Sequence, residues 1–208
     1  MSYQAKPLPF SKELTGISKK TVEIHHDKLY AGYVTKLNEV WEKLAAARDS
    51  ADVQAAANQT YSELRSLRSA ETFAANGVYL HEAYFNVLGG DPSAPLGAGG
   101  GALVGAIAAK WGSLEKFIAY FSASGMAMRG WVVLAFNANS GELNIFGCDA
   151  HNEGGVWGCI PIIVLDVYEH AYFIDYGSDR KKYLADFWKN LDWAAANMIY
   201  EKILKMTV

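Results

Sequence analysis

Three histidines and one aspartate are spaced so that they could share a single ion. His25 lies in Thr21-Val-Glu-Ile-His25, on the apolar face of a helical pattern that continues through Leu29 and Tyr33. His81 lies on a second apolar stripe with Val78, Phe85 and Leu88. Asp166 ends the apolar run Ile160-Pro-Ile-Ile-Val-Leu165, and His170 follows four residues on. If the chain turns helical there, both side chains can face one point. A lone histidine on an apolar stripe is ordinarily a hydrogen-bonded core residue, and an aspartate at a strand end ordinarily caps the next turn. Four such groups directed inward need a common partner, because each is costly to bury alone. A divalent or trivalent cation supplies it, and mixed imidazole and carboxylate donors suit iron, manganese or zinc rather than calcium or magnesium.

The elements that must carry these side chains are legible from periodicity. Residues 17–47 read as one helix with Val22, His25, Leu29, Tyr33, Leu37, Val40 and Leu44 along a face and Ser18 as its N-cap. After a turn at 48–52, a second helical stretch runs from about Val53 to Leu88, with an interruption expected near Asn76-Gly77. Two long helices joined so closely pack antiparallel. The Gly/Pro-rich segment from Gly89 to Gly101 then marks a boundary, giving an N-terminal unit over 1–90 and a C-terminal unit over 91–208. One or two helices are expected over 102–126, with Ser113 as a cap. Trp131 to Phe136 and Glu142 to Cys148 form a hairpin about the turn 137–141, and 160–165 forms a third, buried strand. Helical spacing returns from Tyr183 onward. The fold class expected is α+β: an antiparallel α-hairpin followed by an α+β domain with a three-stranded antiparallel sheet.

Composition narrows the function. The 208 residues are 51% hydrophobic, which excludes a disordered chain. With 19 basic against 22 acidic residues there is no general positive field for nucleic acid. The N-terminal segment has no apolar core of leader length, and no apolar run is long enough for a membrane span. Two isolated cysteines, Cys148 and Cys159, do not make a disulfide scaffold, so a soluble cytoplasmic protein is expected. Gly97-Ala-Gly99-Gly-Gly-Ala102 matches a dinucleotide fingerprint in form only, since Asp-Pro-Ser-Ala-Pro-Leu, not a strand, precedes it.

At the four candidate ligands the chain resembles the iron/manganese superoxide dismutase family. Asp166-Val-Tyr-Glu-His-Ala-Tyr172 is similar to that family's most diagnostic motif, with Tyr168 where Trp is usual. Thr21 to His25 with Tyr33-Val34, Leu80-His81-Glu-Ala-Tyr-Phe85, Gly130-Trp131 and the stretch from Tyr183 to Trp193 resemble its other motifs, in order along the whole chain. The resemblance implies one Fe or Mn ion per subunit, or use of either, held by His25, His81, Asp166 and His170 with solvent as a fifth ligand. It implies Tyr33 in the access funnel and proton network, and a pocket formed by Trp131, Phe85, Tyr168 and Tyr172. Glu169 would reach a partner subunit in a homodimer or tetramer. His26, the neighbour of His25, is read as non-ligating.

Two departures bear on mechanism. The family's glutamine beside the bound solvent comes from one of two places, which here are Gly77 and His151; His151 is therefore assigned that role. The family's interface His and Tyr are replaced by Leu29 and Phe173, which points to an apolar contact. The reaction implied is disproportionation of superoxide. A net charge of −3 opposes an anionic substrate, so local cations must steer it, with Lys28 and Arg180 as candidates. The competing readings are a non-catalytic relative of the same fold and a non-haem iron oxygenase, against which the complete ligand set and the third histidine argue.

Overall fold

The computed structural model describes residues 2–206. The first helical region is α1 (Lys19–Ile24), a π-helical turn (His25–Tyr30) and α2 (Ala31–Arg48). Ser18 caps it, its hydroxyl accepting from the Thr21 amide. The π turn is the one departure from the expected continuous helix. It closes with the Ala31 amide bonded to the His26 carbonyl, five residues back. The buried face records the slip: Val22 and His25, then Tyr30, Val34, Leu37, Val40, Leu44 and Ala47. Every step there is three or four residues except the five between His25 and Tyr30. Leu29 and Tyr33, expected on the buried stripe, are consequently only half-buried.

The second helical region also differs from expectation. A short α3 (Ala51–Ala55) is followed by an irregular loop, and α4 (Glu63–Asn86) then runs unbroken through Asn76 and Gly77. Its start is fixed by Ser62, whose hydroxyl accepts from the Arg65 amide. No turn forms at Gly77 because a helical glycine costs only about 1 kcal/mol against alanine, less than the burial of this face returns. Helices α2 and α4 pack along each other as the hairpin. Its outer end holds a separate small cluster of Val40, Leu44, Ala47 and Leu67, and its inner end joins the main core.

The linker is pinned to the C-terminal half by a bridge between Leu88 and Leu191. Helices α5 (Gly101–Trp111) and α6 (Leu114–Ala127) follow, the second capped by Ser113 as expected. Strands β1 (Trp131–Asn137), β2 (Glu142–Cys148) and β3 (Cys159–Asp166) form an antiparallel sheet in the order β2-β1-β3. Central β1 is buried along nearly its whole length, and Pro161, on edge strand β3, sits where the β1–β3 register shifts. The register sets Trp131 opposite Asp166. Beyond Asp166 a single 3₁₀ turn (Glu169–Ala171) leads through α7 (Phe173–Tyr176) to α8 (Arg180–Asn190) and α9 (Trp193–Met206). Helices α4 and α9 pack on β3, which brings His81 to the end of the strand that carries Asp166. None of the helices among the described residues is long and apolar enough to cross a membrane.

Candidate metal centre

His25 from the π turn, His81 from α4, Asp166 from the end of β3 and His170 from the 3₁₀ turn converge. One donor atom from each lies within 4.8 Å of the other three. The His25 and His170 Nε2 atoms are 3.1 and 3.0 Å from Asp166 Oδ2. His81 Nε2 is 3.7 Å from the same oxygen. The carboxylate is oriented by the Tyr168 amide, which donates to Oδ1, so that Oδ2 is turned toward the three rings.

His81 gives the test of whether a cation fits. Its Nδ1 contacts the Gly77 carbonyl, which can only accept, so Nδ1 carries the proton and Nε2 presents a lone pair. That Nε2 is fully buried and has no hydrogen-bond partner among the described residues. A lone pair facing a carboxylate oxygen in the interior is costly unless a cation lies between them. The donor set, three imidazoles and one carboxylate, suits iron or manganese.

The electrostatics follow from burial. Burial alone would raise the Asp166 carboxyl, but attraction and hydrogen bonding from His170 and His25 outweigh it and hold it far below the ordinary carboxylate range. Burial also opposes charge on His170, yet the Asp166 carboxylate pushes its pKa up. Burial lowers His25 and lowers His81 strongly, keeping both as neutral donors.

Aromatic rings close the surroundings. Phe85 packs on His25 at 5.1 Å between ring centres, Trp131 meets His81 edge-on at 5.0 Å, and Tyr168 stacks on His170 at 5.2 Å. Tyr172, expected in this pocket, lies a layer behind it, stacked on Tyr183 with its hydroxyl accepting from Arg180 Nε. Arg180 also donates to the Met128 carbonyl and is committed to the fold, unlike the free steering cation expected. Its guanidinium sits inside hydrogen-bonding reach of two internal acceptors, which fix its direction.

His151 is buried between Trp131 and Tyr33. Trp131 Nε1 donates to His151 Nδ1 at 2.9 Å, and an indole N–H can only donate. The neutral ring therefore carries its proton on Nε2, which donates to the Tyr33 hydroxyl at 2.7 Å. Both ring nitrogens are thus engaged by Trp131 and Tyr33, which leaves neither for the direct contact with bound solvent expected from the sequence. Burial, its main cause, lowers the His151 pKa to about 4. Gly77 leaves the space that Tyr33 occupies: a Cβ there would meet Tyr33 ring carbons at 2.7 and 2.8 Å. Tyr33 faces a groove of about 1620 Å³ lined also by Lys28, Leu29, Arg65 and Phe73. His26 points the other way, bonding Asp27 and the Lys6 carbonyl. Glu169 is exposed, and so is Phe173, at 54%.

Three aromatic residues near the centre escaped the sequence reading. Tyr84 lies 5.3 Å from His25 between ring centres, and its place three residues after His81 was the available signal. Phe73 packs edge-on to His151 at 4.6 Å; it falls two helical turns before His81. Tyr30 is buried beside Phe85 and donates to Glu82, a position that α-helical spacing could not reveal across the π turn.

Comparison with known proteins agrees with this geometry. Residues 2–89 match the family described as iron/manganese superoxide dismutases, alpha-hairpin domain, and residues 99–199 match its C-terminal domain. The chain is 43% identical over 196 residues to "Superoxide dismutase [Fe]" of Aquifex aeolicus (strain VF5), covering 93% of this chain and 89% of that one. It is 35% identical to "Superoxide dismutase [Fe]" of Cupriavidus metallidurans over 94% of this chain and 95% of the relative. It is 34% identical to "Superoxide dismutase [Mn] 1" of Halobacterium salinarum over 92% and 91%.

Proposed function

The chain belongs to the iron/manganese superoxide dismutase family, and from that premise we propose that His25, His81, Asp166 and His170 hold its metal. It is an oxidoreductase that disproportionates superoxide to dioxygen and hydrogen peroxide with one Fe or Mn ion. The observation that carries the ligand assignment is the buried, unpartnered His81 Nε2 aimed at Asp166. A bound iron or manganese ion supplies a one-electron couple that one superoxide reduces and the next reoxidises.

The chain's own residues supply the rest. Gly77 fixes the His81 tautomer, and the Tyr168 amide fixes the carboxylate. Each full cycle consumes two protons. Because Tyr33 accepts from His151, its own O–H is free to donate elsewhere; burial and the Asp166 charge raise its pKa, so it is protonated at neutral pH. His151 thus acts through the Tyr33 hydroxyl, which it orients, while Trp131 holds the His151 tautomer. Trp131 and Phe85 are buried and, with half-buried Tyr168, crowd the site and limit its hydration, which strengthens the charge interactions inside it.

Substrate approach is assigned to the groove at Tyr33, where Lys28 and Arg65 offset the chain's net −3 charge. Assembly as a homodimer or tetramer, with Leu29, Glu169 and Phe173 at the contact, is supported by the exposed Phe173 ring three residues after His170. A cytoplasmic location accords with the unpaired cysteines Cys148 and Cys159. The division near residue 90 accords with the family matches that end at 89 and resume at 99. The test is superoxide consumption by purified protein of known metal content, loaded with iron and with manganese separately. Turnover by at least one form, lost in Asp166→Ala together with the metal, is expected. Inactivity of both fully loaded forms would refute the reading.

A further inference from the structure

A second set of tyrosines begins beside His25 and leads away from it through Tyr183 to Tyr176. Tyr84 lies 5.3 Å from His25 between ring centres, and its hydroxyl is 3.1 Å from that of Tyr183. Tyr183 donates to the Asp166 carbonyl, so the proton in the Tyr84–Tyr183 contact is that of Tyr84. The Tyr183 ring lies 5.8 Å from that of Tyr176, which is only half-buried. None of these hydroxyls faces the groove at Tyr33, and superoxide turnover as derived above uses none of them.

The end of the series is built differently from its middle. The Tyr176 hydroxyl donates to Asp186 Oδ2 at 2.9 Å, and the other carboxylate oxygen is held by Lys189 at 2.7 Å. Asp186 is itself 6% exposed. A Cβ on Gly16 would collide with both the phenol and the carboxylate, so glycine at that position leaves room for the pair. A phenol bonded to a carboxylate can lose an electron and pass its proton across the same bond, which avoids forming a charged phenol radical. Tyr172, which stacks on Tyr183 where Tyr176 meets it edge-on, lacks this provision. Its hydroxyl accepts from Arg180 and its ring lies under that guanidinium, so positive charge on it is repelled.

We propose that Tyr84, Tyr183 and Tyr176 form a relay that carries oxidising equivalents from the metal centre to a tyrosyl radical at Tyr176, protecting the ligand histidines from the peroxide that the enzyme makes. The inference rests on the dismutase reading, which supplies the oxidant. A reduced ion held by the four ligands would give one electron to hydrogen peroxide and become oxidised, and the peroxide O–O bond would break into hydroxide and hydroxyl radical. The hydroxyl radical takes an electron delivered through the His25 side of the site and becomes hydroxide. Tyr84 and Tyr183 pass the deficit outward, and Tyr176 finally gives up the electron while its proton moves to Asp186. In sum, hydroxyl radical, Tyr176 phenol and Asp186 carboxylate become hydroxide, Tyr176 phenoxyl radical and Asp186 carboxylic acid, with charge and atoms conserved. Superoxide, the enzyme's own substrate, can then give an electron to Tyr176 and leave as dioxygen while Asp186 returns the proton.

The test treats iron-loaded protein with hydrogen peroxide, then reads rapid-freeze electron paramagnetic resonance and maps oxidised residues by peptide mass spectrometry. The wild-type protein is expected to give a tyrosyl signal and oxidation at Tyr176. Tyr176→Phe should lose that signal, show several-fold more oxidation at His25 and His81, and release iron faster, with superoxide turnover before peroxide unchanged. Asp186→Asn, which keeps the phenol and removes the proton acceptor, should lower the radical yield in the same direction. A tyrosyl signal of equal size in Tyr176→Phe, or the same oxidation pattern in both proteins, overturns the relay. Turnover measured on the same preparations separates the failures: turnover without the Tyr176 radical overturns the relay alone, and loss of both overturns the dismutase reading with it.

Discussion

The two ends of the α2–α4 hairpin are made from the same pair of helices and solve opposite problems. At the outer end Val40, Leu44, Ala47 and Leu67 form a small apolar cluster whose only task is to hold the helices together. At the inner end the same helical region has passed through a π turn and buries His25 and Tyr30, and α4 buries His81, Tyr84 and Phe85. The outer end is satisfied by burial alone. The inner end is satisfied only when its polar atoms have partners, and His81 Nε2 has none among the described residues. The lesson is that one supersecondary unit can carry a stability region and a functional region in series, with a single helical irregularity as the transition.

Substitutions at the two ends should therefore fail in different ways. His81→Ala should have the largest effect, lowering metal affinity by at least the roughly 10–100-fold that loss of even an orienting partner costs, with turnover lost in proportion. Elemental analysis checks this, and a fully metallated, active variant would erase the distinction between the ends. Leu44→Ala, at the outer end, should cost about 2–4 kcal/mol in denaturant unfolding yet leave metal content and turnover per metal unchanged. A parallel loss of metal would mean the ends are one cooperative site.

Glycines offer a finer contrast. Gly77→Ala places a methyl group against the Tyr33 ring and should cost about 1–3 kcal/mol with a clear loss of turnover. Gly32→Ala, on the same hairpin, meets nothing within 4 Å and should stabilise by up to about 1 kcal/mol with turnover unchanged. Similar effects from both would show that Tyr33 packing is not what Gly77 protects.

Acid sensitivity should also be confined to the inner end. An unfolded histidine titrates near 6.5, whereas folded His151 titrates near 4. Between those values the unfolded chain binds a proton that the folded chain does not, so this contribution is present above pH 6.5 and is lost as pH falls toward 4. In metal-free protein His151→Gln should reduce the stability difference between pH 7 and pH 4.5 by roughly 1–3 kcal/mol. An unchanged difference would assign the acid response to the ligands alone.

The contrast also explains what could be read from sequence. The outer end was legible because its Val40, Leu44 and Ala47 obey a helical period and burial follows the period. Of the four proposed ligands, His25 and His81 were legible because they interrupt apolar stripes, Asp166 because it stops a buried strand, and His170 because it follows four residues on. Tyr30 was hidden because the step of five between it and His25 belongs to a π turn, which leaves no mark in composition. The interruption expected at Gly77 was a misreading of a glycine kept for space rather than for a turn. Tyr172 followed its motif into the pocket on paper, but the chain turns through Phe173–Tyr176 and Arg180 draws its hydroxyl outward. Such side-chain directions depend on distant elements, which spacing does not record.

The 141 residues that separate His25 from Asp166 have a consequence for the order of events during synthesis. The hairpin emerges first with two imidazoles in place, while the carboxylate and the last imidazole follow only in the final quarter of the chain. N-terminal units fold first as the chain is made, so the hairpin spends that interval as half a site. A complete donor set for either iron or manganese therefore exists only once the sheet has closed on the helices.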